Sequence, residues 1–582
     1  MTEGPELFDA LSCEVAQHRL TMLAEEGGLR AARSAGSAFV SGNSSVASAI
    51  FNREGLMIAQ TRTGLQHVSA LRSMMPEILR DYPVSGMRDG DVFLCNDQFR
   101  GGIHPTDLGS FRPIFWRGEV AFFSAILMIV ADMGGISSGG LPATATEVFQ
   151  EGLVVPPVRL YDAGVLNPSV MALLLGNSRV PDKLRTDVDA LVGAGAIVGQ
   201  RLIEMVDRYG LGELSAIIAR LFDHTEAIVR SGLAAIPDGE YVGSYLAEDD
   251  GVGPAPSYEV RVRIAIQGSD CTVDFTGSSV QAPGAINSSI SQSLSCVTFA
   301  LRCYLSAEIE MNEGFYRAFT TVFPLGSVVN PVFPAACNLR FSIGQAMVDA
   351  IHGALRPIFP NRSVAPSSSI GSINVNGATP GLETKWAMLD VLFGPSGGRP
   401  GADANDGLPF QMIGGSSYMT IEAYESLFPI IYEKFGLLPD SSGPGEWRGG
   451  AGVQKQMRFL EDAVVTLRAV DRTKLHPLGA EGGDPGRGGG WVHNPGQPDE
   501  KRLPPKLTNY SVKAGDVMNG SMSGGGGYGP PLRRDPERVA SDVRAGFVTP
   551  AGAAADYGVV VSPAGAVDLA ATQELRSKRH DA

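Results

Sequence analysis

The sequence contains few cysteines and none of the common short motifs for metal or nucleotide binding. It has 6 cysteines, scattered without a CxxC pair: Cys13, Cys95, Cys271, Cys296, Cys303 and Cys337. Such spacing indicates neither a zinc knuckle nor a disulfide framework, so we interpret these side chains as small buried groups. The sequence also lacks a GxxxxGK[ST] phosphate loop, and therefore a P-loop nucleotide site is not predicted.

Positive charge and long apolar runs are also scarce. Acidic residues number 62 against 47 lysines and arginines, which gives a net charge of -15. This charge repels a phosphate backbone and argues against a nucleic-acid partner. The longest largely apolar run, residues 120–131, is well short of the roughly 20 residues that span a bilayer. Because the acidic N-terminus also lacks an apolar signal-peptide segment, we expect a cytoplasmic protein that does not bind membranes.

Glycine and apolar residues, in contrast, are plentiful. The 72 glycines and 38 prolines of this 582-residue chain indicate many tight turns and ordered irregular loops. Hydrophobic residues make up 44% and charged residues 19%, values typical of a globular protein. The chain is too long to fold around a single hydrophobic core, so roughly two to four domains are predicted.

Hydrophobic periodicity predicts a multi-domain α+β fold. An amphipathic helix is expected at residues 7–26, and helical spacing returns over most of residues 166–233. Alternating strands begin near Asp238 and predict β-rich middle and C-terminal parts. We therefore predict three domains, with the helical stretch in the first: residues 1–235, 236–345 and 346–582.

Several motifs, spread in order over nearly the whole chain, resemble the hydantoinase B family. Residues 90–107 read GDVFLCNDQFRGGIHPTD, residues 131–135 read ADMGG, and residues 142–158 read PATATEVFQEGLVVPPV. Further matches lie at residues 274–279, 284–287, 440–450, 471–472, 524–529, 542–543 and 557–559. No single motif carries the resemblance.

The resemblance implies a division of labour between two kinds of subunit. A hydantoinase A-type partner binds ATP and phosphorylates a carbonyl oxygen, and the B-type subunit completes the reaction. The small-molecule substrate is then a cyclic amide that is opened by hydrolysis, or alternatively a ketone such as acetone or acetophenone that is carboxylated. A third interpretation is a scaffold subunit whose site has decayed.

His104 and Asp107, three residues apart in a glycine- and proline-bearing loop, could offer a nitrogen and an oxygen to one divalent ion. Taken alone, the pair also suits an ordinary turn. The resemblance implies two further ligands, a carboxylate and a histidine, where this chain has Ser45 and Ile129 or Val130. These replacements argue against a tightly held metal unless His67 or Asp132 supplies a ligand.

Other polar residues of the matched runs are candidates for catalysis. Asp97 and Arg100, beside Gly101 and Gly102, could approach an anionic intermediate, although an Asp–Arg surface pair is the plainer interpretation. Asp132 in the ADMGG run is a further candidate. The pair Glu147 and Glu151 would share a helix face if that segment is helical, which suits base or water-holding work, but a solvated pair also fits.

Two glycine-bearing motifs suggest other chemistries only weakly. Residues 135–139 satisfy GxSxG, but a nucleophile elbow needs a helix directly afterwards, and Pro142 follows instead. Gly524–Gly527 could cradle phosphate, but Pro530 and Pro531 block the helix that such a loop requires. For the second motif we predict a structural turn or a subunit contact.

Overall fold

The chain folds as a mixture of long helices and several separate β-sheets. The structure, a computed structural model, describes residues 5–37, 40, 45–137, 139, 141–306, 309–379, 384–408, 416–468, 471–562 and 564–580. Helices and sheets together confirm the predicted α+β fold. The chain forms two compact units. Unit 1 comprises Met1–Val242, Arg261–Arg340 and Gly415–Met419, and unit 2 comprises Gly243–Val260, Phe341–Gly414 and Thr420–Ala582. The three-domain division stays a prediction.

The α-helices include the long N-terminal helix and the helical stretch that periodicity predicted. They span Pro5–Ser34, Leu65–Asp81, Val148–Glu151, Pro168–Gly176, Pro181–Tyr209, Leu211–Ala234, Ile290–Tyr304, Glu313–Arg317, Phe341–Leu355, Ile421–Leu427, Pro536–Arg544, Pro550–Tyr557 and Leu569–His580. Short 3-10 turns lie at Val84–Gly86, Gln98–Arg100 and Pro531–Arg533. Within the part of the chain that the structure describes, no helix is both long and apolar enough to cross a membrane.

The helix Pro181–Tyr209 illustrates how local sequence sets these elements. It begins with Pro181 in the first turn, where the missing N–H costs nothing, and it ends before Gly210, which has a φ of 80°. Its buried residues include Leu184, Val188 and Leu191 at helical spacing. This apolar stripe packs on the central sheet of unit 1.

The central sheet of unit 1 is antiparallel and has seven strands. These are β1 (Val46–Asn52), β2 (Met57–Gln60), β3 (Val92–Cys95), β4 (Asp107–Trp116), β5 (Glu119–Ile129), β6 (Val158–Asp162) and β7 (Val165–Leu166). They lie in the order β2-β1-β5-β4-β3-β6-β7. Strands β1 and β2 form an antiparallel hairpin, and β5 pairs with both β1 and β4.

Helices cover both faces of this sheet. Successive side chains of a strand point to opposite faces, so β4 and β5 contact both layers of helices. On β5, Ser124 points toward the helix Pro181–Tyr209 and donates to the Gly195 carbonyl oxygen at 2.8 Å. On β4, Gly109 lies against Met74 of the helix Leu65–Asp81 on the opposite face. Alternation therefore places Asp107, two residues before Gly109, on the face covered by the helix Leu65–Asp81.

A second sheet has four strands: β8 (Gly239–Glu248), β9 (Ser257–Gln267), β10 (Asp270–Asp274) and β11 (Phe319–Val322). Their order is β11-β10-β9-β8, with β10 and β11 parallel. The division between the two units falls inside β8 and β9. The predicted change to β structure near Asp238 is thus confirmed.

Unit 2 contains two further sheets. Their strands are β12 (Ile370–Thr379), β13 (Thr384–Phe393), β14 (Ile430–Leu437), β15 (Val453–Phe459), β16 (Ala463–Arg468), β17 (Gly488–His493), β18 (Lys501–Leu503), β19 (Leu507–Val512) and β20 (Val517–Ser523). The orders are β13-β12-β16-β19 and β14-β15-β20-β17-β18. These strands account for the β-rich C-terminal part.

The glycine run Gly524–Gly527 follows β20 and is packed tightly against other backbone segments. Gly525 N donates to the Gly450 carbonyl oxygen at 3.0 Å, and its own carbonyl oxygen accepts from Gly443 N at 2.8 Å. A Cβ at position 525 would lie 2.0 Å from the Ser396 carbonyl oxygen. All four N–H groups of the run donate to backbone carbonyl oxygens of the chain. They are therefore committed to the fold rather than to phosphate.

We predict that Gly525→Ala destabilises unit 2 by about 3 kcal/mol, because the added methyl group would overlap backbone atoms that cannot move independently. Gly436→Ala is the matched control, since Gly436 has no positive φ and no neighbour within 4 Å of an added Cβ. Chemical denaturation followed by circular dichroism measures both. Equal stability of the two variants would contradict the packing seen at Gly525.

Candidate active site: a buried histidine, aspartate and arginine cluster

The loop of residues 96–106 joins β3 to β4 and is fixed by the side chain of its first residue. Asn96 Nδ2 donates to the carbonyl oxygens of Pro105 at 2.6 Å and Leu153 at 3.0 Å. Asn96 Oδ1 accepts from Val155 N at 2.6 Å. One buried amide therefore ties the two ends of the loop together and anchors both to the segment that precedes β6.

Two glycines let the same loop approach its neighbours closely. Gly101 has a φ of 92°, and a Cβ there would lie 2.4 Å from the carbonyl carbon of Ser73, in the helix Leu65–Asp81. The Gly102 carbonyl oxygen accepts from Ser289 Oγ at 3.1 Å and from Ser291 Oγ at 2.7 Å. The loop is thus held between that helix and the start of the helix Ile290–Tyr304.

The carboxylate of Asp107, at the first position of β4, lies at the centre of a buried cluster. His67 Nε2 is 3.3 Å from its Oδ1, and His104 Nδ1 is 3.4 Å from its Oδ2. Arg340 Nη2 lies 3.9 Å from the same Oδ2. All four residues are at most 2% exposed. We refer to them as the Asp107 cluster.

Hydrogen bonds fix the orientation of the basic members. Arg340 Nε donates to Gln292 Oε1 at 3.2 Å, and its Nη1 donates to the Asn338 carbonyl oxygen at 3.4 Å. His104 Nδ1 also lies 2.8 Å from Thr106 Oγ1. The guanidinium and the imidazole are therefore held in place, as a pre-organised site requires.

Charge balance stabilises the ionised form of Asp107. Burial by itself raises the pKa of this carboxyl, but His104, His67 and Arg340 together outweigh it and hold the pKa well below its usual range. Burial lowers the pKa of Arg340, and the nearby carboxylates of Asp107 and Glu151 oppose that shift. The cluster therefore depends on opposite charges that are buried together.

Glu151 is buried beside the cluster, whereas Glu147 lies before the helical turn and is only half-buried. Glu151 is fully buried, and its Oε1 accepts from Cys337 N at 2.8 Å and Asn338 N at 2.7 Å. The helical turn Val148–Glu151 is one turn long, and Glu147 precedes it with extended backbone and a half-buried side chain. The structure thus gives Glu151 an anchoring contact with the segment before Arg340, and the two carboxylates share no helix face.

Asp97 and Arg100 hold the loop in shape. Asp97 Oδ1 accepts from Phe99 N at 2.9 Å and caps the turn Gln98–Arg100, and burial raises the pKa of this carboxyl. Arg100 forms ion pairs at 2.7 Å with both Glu77 and Asp81 of the helix Leu65–Asp81. Its charge is therefore used to fasten the loop to that helix.

Asp132 fastens a different loop, the one that follows β5. Its Oδ1 accepts from Gly139 N at 2.9 Å and Arg179 Nη1 at 3.0 Å, and its Oδ2 accepts from Arg179 N at 2.6 Å. Ser137, the serine of the GxSxG match, is buried, and the next described helix begins only at Val148. Ser138 of that motif lies outside the described residues.

The residues around Asp107 do not fit the divalent ion that the family resemblance implies. Asp107 pairs directly with Ile129 across β4 and β5, and Val46 pairs with Met128, which puts Ser45 next in the same row. The hydrocarbon side chain of Ile129 thus stands next to Asp107 in this row, and the hydroxyl of Ser45 lies one strand further along. Across the described ranges, no group of three or more His, Cys, Asp or Glu side chains is placed to hold a metal ion.

Arg340 was missed by sequence reasoning, and His67 was considered only as an alternative ligand. Arg340 lies in the largely apolar segment Ala335–Phe341, in which Asn338 is the one other polar residue. An arginine within such an apolar segment predicts a buried cation, which needs a partner. That signal was available in the sequence, but the identity of the partner was not.

The central sheet and the Asp107 cluster define the chain as an α+β protein with a candidate catalytic centre. A family model described as hydantoinase B/oxoprolinase matches residues 9–531, and the chain belongs to this family. The resemblance predicted from the motifs is confirmed.

Several relatives match over most of their length. A protein of Pseudomonas sp. (strain NS671), provisionally named as the B component of a D-/L-hydantoinase, is 30% identical over 594 residues, which cover 98% of each chain. The crystal structure of ATP-dependent caprolactamase from Pseudomonas jessenii matches with a TM-score of 0.87 and 28% identity, over 99% of this chain and 100% of that chain. Acetone carboxylase in its nucleotide-free form matches with a TM-score of 0.87 over 100% and 83%, but at 19% identity this likeness shows the fold alone.

We predict that Asp107→Asn lowers the free energy of unfolding by about 3–5 kcal/mol, because it removes the carboxylate charge that faces the buried guanidinium of Arg340. The double variant with Arg340→Met is expected to lose at least about 1 kcal/mol less than the sum of the single variants. Chemical denaturation of wild type, Asp107→Asn, Arg340→Met and the double variant gives the coupling free energy between the two side chains.

The control for this cycle is Asp462→Asn, since Asp462 and its partner Lys513 are both exposed. Solvent screens such a pair, so the control is expected to leave stability unchanged. Strictly additive losses at positions 107 and 340 would show that the two charges do not interact.

Proposed function

We propose that this chain is the subunit of an ATP-dependent enzyme that completes the hydrolytic opening of a cyclic amide. A hydantoinase A-type partner uses ATP to phosphorylate the carbonyl oxygen of the substrate. The observation that carries this proposal is the 30% identity to the B component of a hydantoinase over 98% of both chains. The likeness to caprolactamase at 28% identity supports it, since hydantoin and caprolactam are both cyclic amides.

The chemistry after phosphorylation requires a base and a proton donor. Water adds to the activated carbon, the ring C–N bond breaks as the nitrogen takes up a proton, and a second water hydrolyses the acyl phosphate to carboxylate and phosphate. The imidazole of His104 takes the proton from the first water and returns it to the ring nitrogen. Asp107, 3.4 Å from His104 Nδ1, stabilises the imidazolium.

Access to the base is part of this proposal. The His104 side chain is 3% exposed, so substrate reaches it only when the loop of residues 96–106 moves on assembly with the partner and substrate. The glycines at positions 101 and 102 permit such a change of backbone conformation. Loop closure would then exclude bulk water from the reactive intermediate.

A scaffold role without chemistry is the second candidate function. The burial of the whole Asp107 cluster favours it, as do the replacements at Ser45 and Ile129. In that case the charge pair of Asp107 and Arg340 would serve only to hold unit 1 together. The two candidates differ in what a change of His104 does to turnover.

We predict that the chain, co-expressed with an ATP-binding subunit of the family, produces ADP and ring-opened product from hydantoins or lactams. His104→Ala is expected to lower kcat by about 10²- to 10⁴-fold through loss of the general base. His224→Ala, at an exposed helical histidine, is the matched control and is expected to keep full activity. Coupled ADP release and chromatographic product analysis measure both.

The alternatives give different results in the same assay. Carboxylated product from acetone or acetophenone with bicarbonate, and none from cyclic amides, would replace the hydrolase with a carboxylase. Full turnover in His104→Ala, with the chain still required for activity, would favour the scaffold. Size-exclusion chromatography confirms that each variant still assembles.

A further inference from the structure

We propose that the guanidinium of Arg340 is the resident cation of the Asp107 cluster and takes the place of the divalent ion implied by the family resemblance. The centre of this chain would then be independent of bound metal. The proposal relies on the proposed function only for the view that the cluster is the active site. Its test measures metal binding and needs no turnover.

The position of Arg340 is fixed by its surroundings. The residue is 2% exposed, and Gln292 and Asn338, which accept from its Nε and Nη1, are fully buried. The guanidinium cannot turn away from Asp107 without breaking these bonds inside the protein. A positive charge thus lies permanently 3.9 Å from Asp107 Oδ2.

The negative charges near Arg340 are already balanced or hydrogen-bonded, so they attract a metal ion only weakly. Asp107 is already matched by one guanidinium, and the Oε1 of its acidic neighbour Glu151 accepts two backbone N–H groups. A divalent ion bound to Asp107 would bring two further positive charges close to Arg340 in a region of low dielectric. Repulsion there is screened far less than at the surface.

The geometry of the possible ligands supports the same conclusion. His67 and His104 face different oxygens of the Asp107 carboxylate. Ile129 stands directly opposite Asp107 on β5, and its hydrocarbon side chain cannot coordinate an ion. Of Ser45, Ile129 and Asp107 in this strand row, only Asp107 is a strong metal ligand. The positive charge next to its carboxylate therefore comes from Arg340 and not from a bound ion.

This substitution changes which chemistry the centre can perform. A bound divalent ion would lower the pKa of a water molecule, but a guanidinium stays protonated and offers only charge and hydrogen bonds. Arg340 then acts as a positioning residue through Asp107. Deprotonation of water falls to the imidazole of His104.

The test is a metal-binding experiment on the full chain. Wild type, Ser45→Asp/Ile129→His, and the same pair with Arg340→Met are dialysed against Zn²⁺ or Mn²⁺, and bound metal is measured by elemental analysis and calorimetry. We expect no stoichiometric metal in wild type. We expect the triple variant to bind at least about ten-fold more tightly than the double variant, because it lacks the repelling charge.

Two results would overturn the proposal. One is a stoichiometric ion in wild type, held through His67, His104 and Asp107. The other is an equal affinity, or equal absence of binding, in the double and triple variants when both are folded by circular dichroism. Arg340→Lys, added to Ser45→Asp/Ile129→His, keeps the positive charge. Its metal affinity is expected to equal that of the double variant. If Arg340→Met does not fold, the wild-type metal content decides alone.

Discussion

The buried charge balance around Asp107 is the constraint on which the arrangement of unit 1 depends. A carboxylate with no access to water is stable only when positive groups are held close to it, and removing one partner leaves a costly isolated charge. The side chains that face Asp107 come from three separate segments: His67 from a helix, His104 from the loop before β4, and the cation Arg340 from the segment after Asn338. The sheet, the helix and the loop must therefore keep their relative positions if these side chains are to stay next to Asp107.

Much of the surrounding polar structure serves this requirement. Asn96 closes the loop, Arg100 fastens it to the helix Leu65–Asp81, and Glu151 anchors the segment that leads to Arg340. Polar residues of the matched motifs thus support the cluster from outside. In this structure their contacts hold the loop in a conformation that places His104 Nδ1 3.4 Å from the carboxylate of Asp107.

Membership of the hydantoinase B/oxoprolinase family extends over most of the chain and brings ATP-dependent hydrolases and carboxylases together on one fold. A shared fold does not fix the chemistry, which depends on the groups present at the site. In this chain the row beside Asp107 carries Ser45 and Ile129, and a guanidinium faces the carboxylate from the other segment. Under the proposal that Arg340 replaces a bound ion, the electrostatics of the centre are those of the ion pair between Asp107 and Arg340.

Local sequence by itself determined the elements whose signals are local. Helical periodicity predicted the N-terminal helix and helices within residues 166–233, alternation predicted the change to β structure near Asp238, and the spacing of His104 and Asp107 predicted that they lie together. Only the tertiary structure decided that Arg340 and His67 complete the cluster and that Asp132 belongs to another loop. The physical reason is that strand register and helix packing bring distant segments together, and these long-range pairings leave no periodic signal in the sequence.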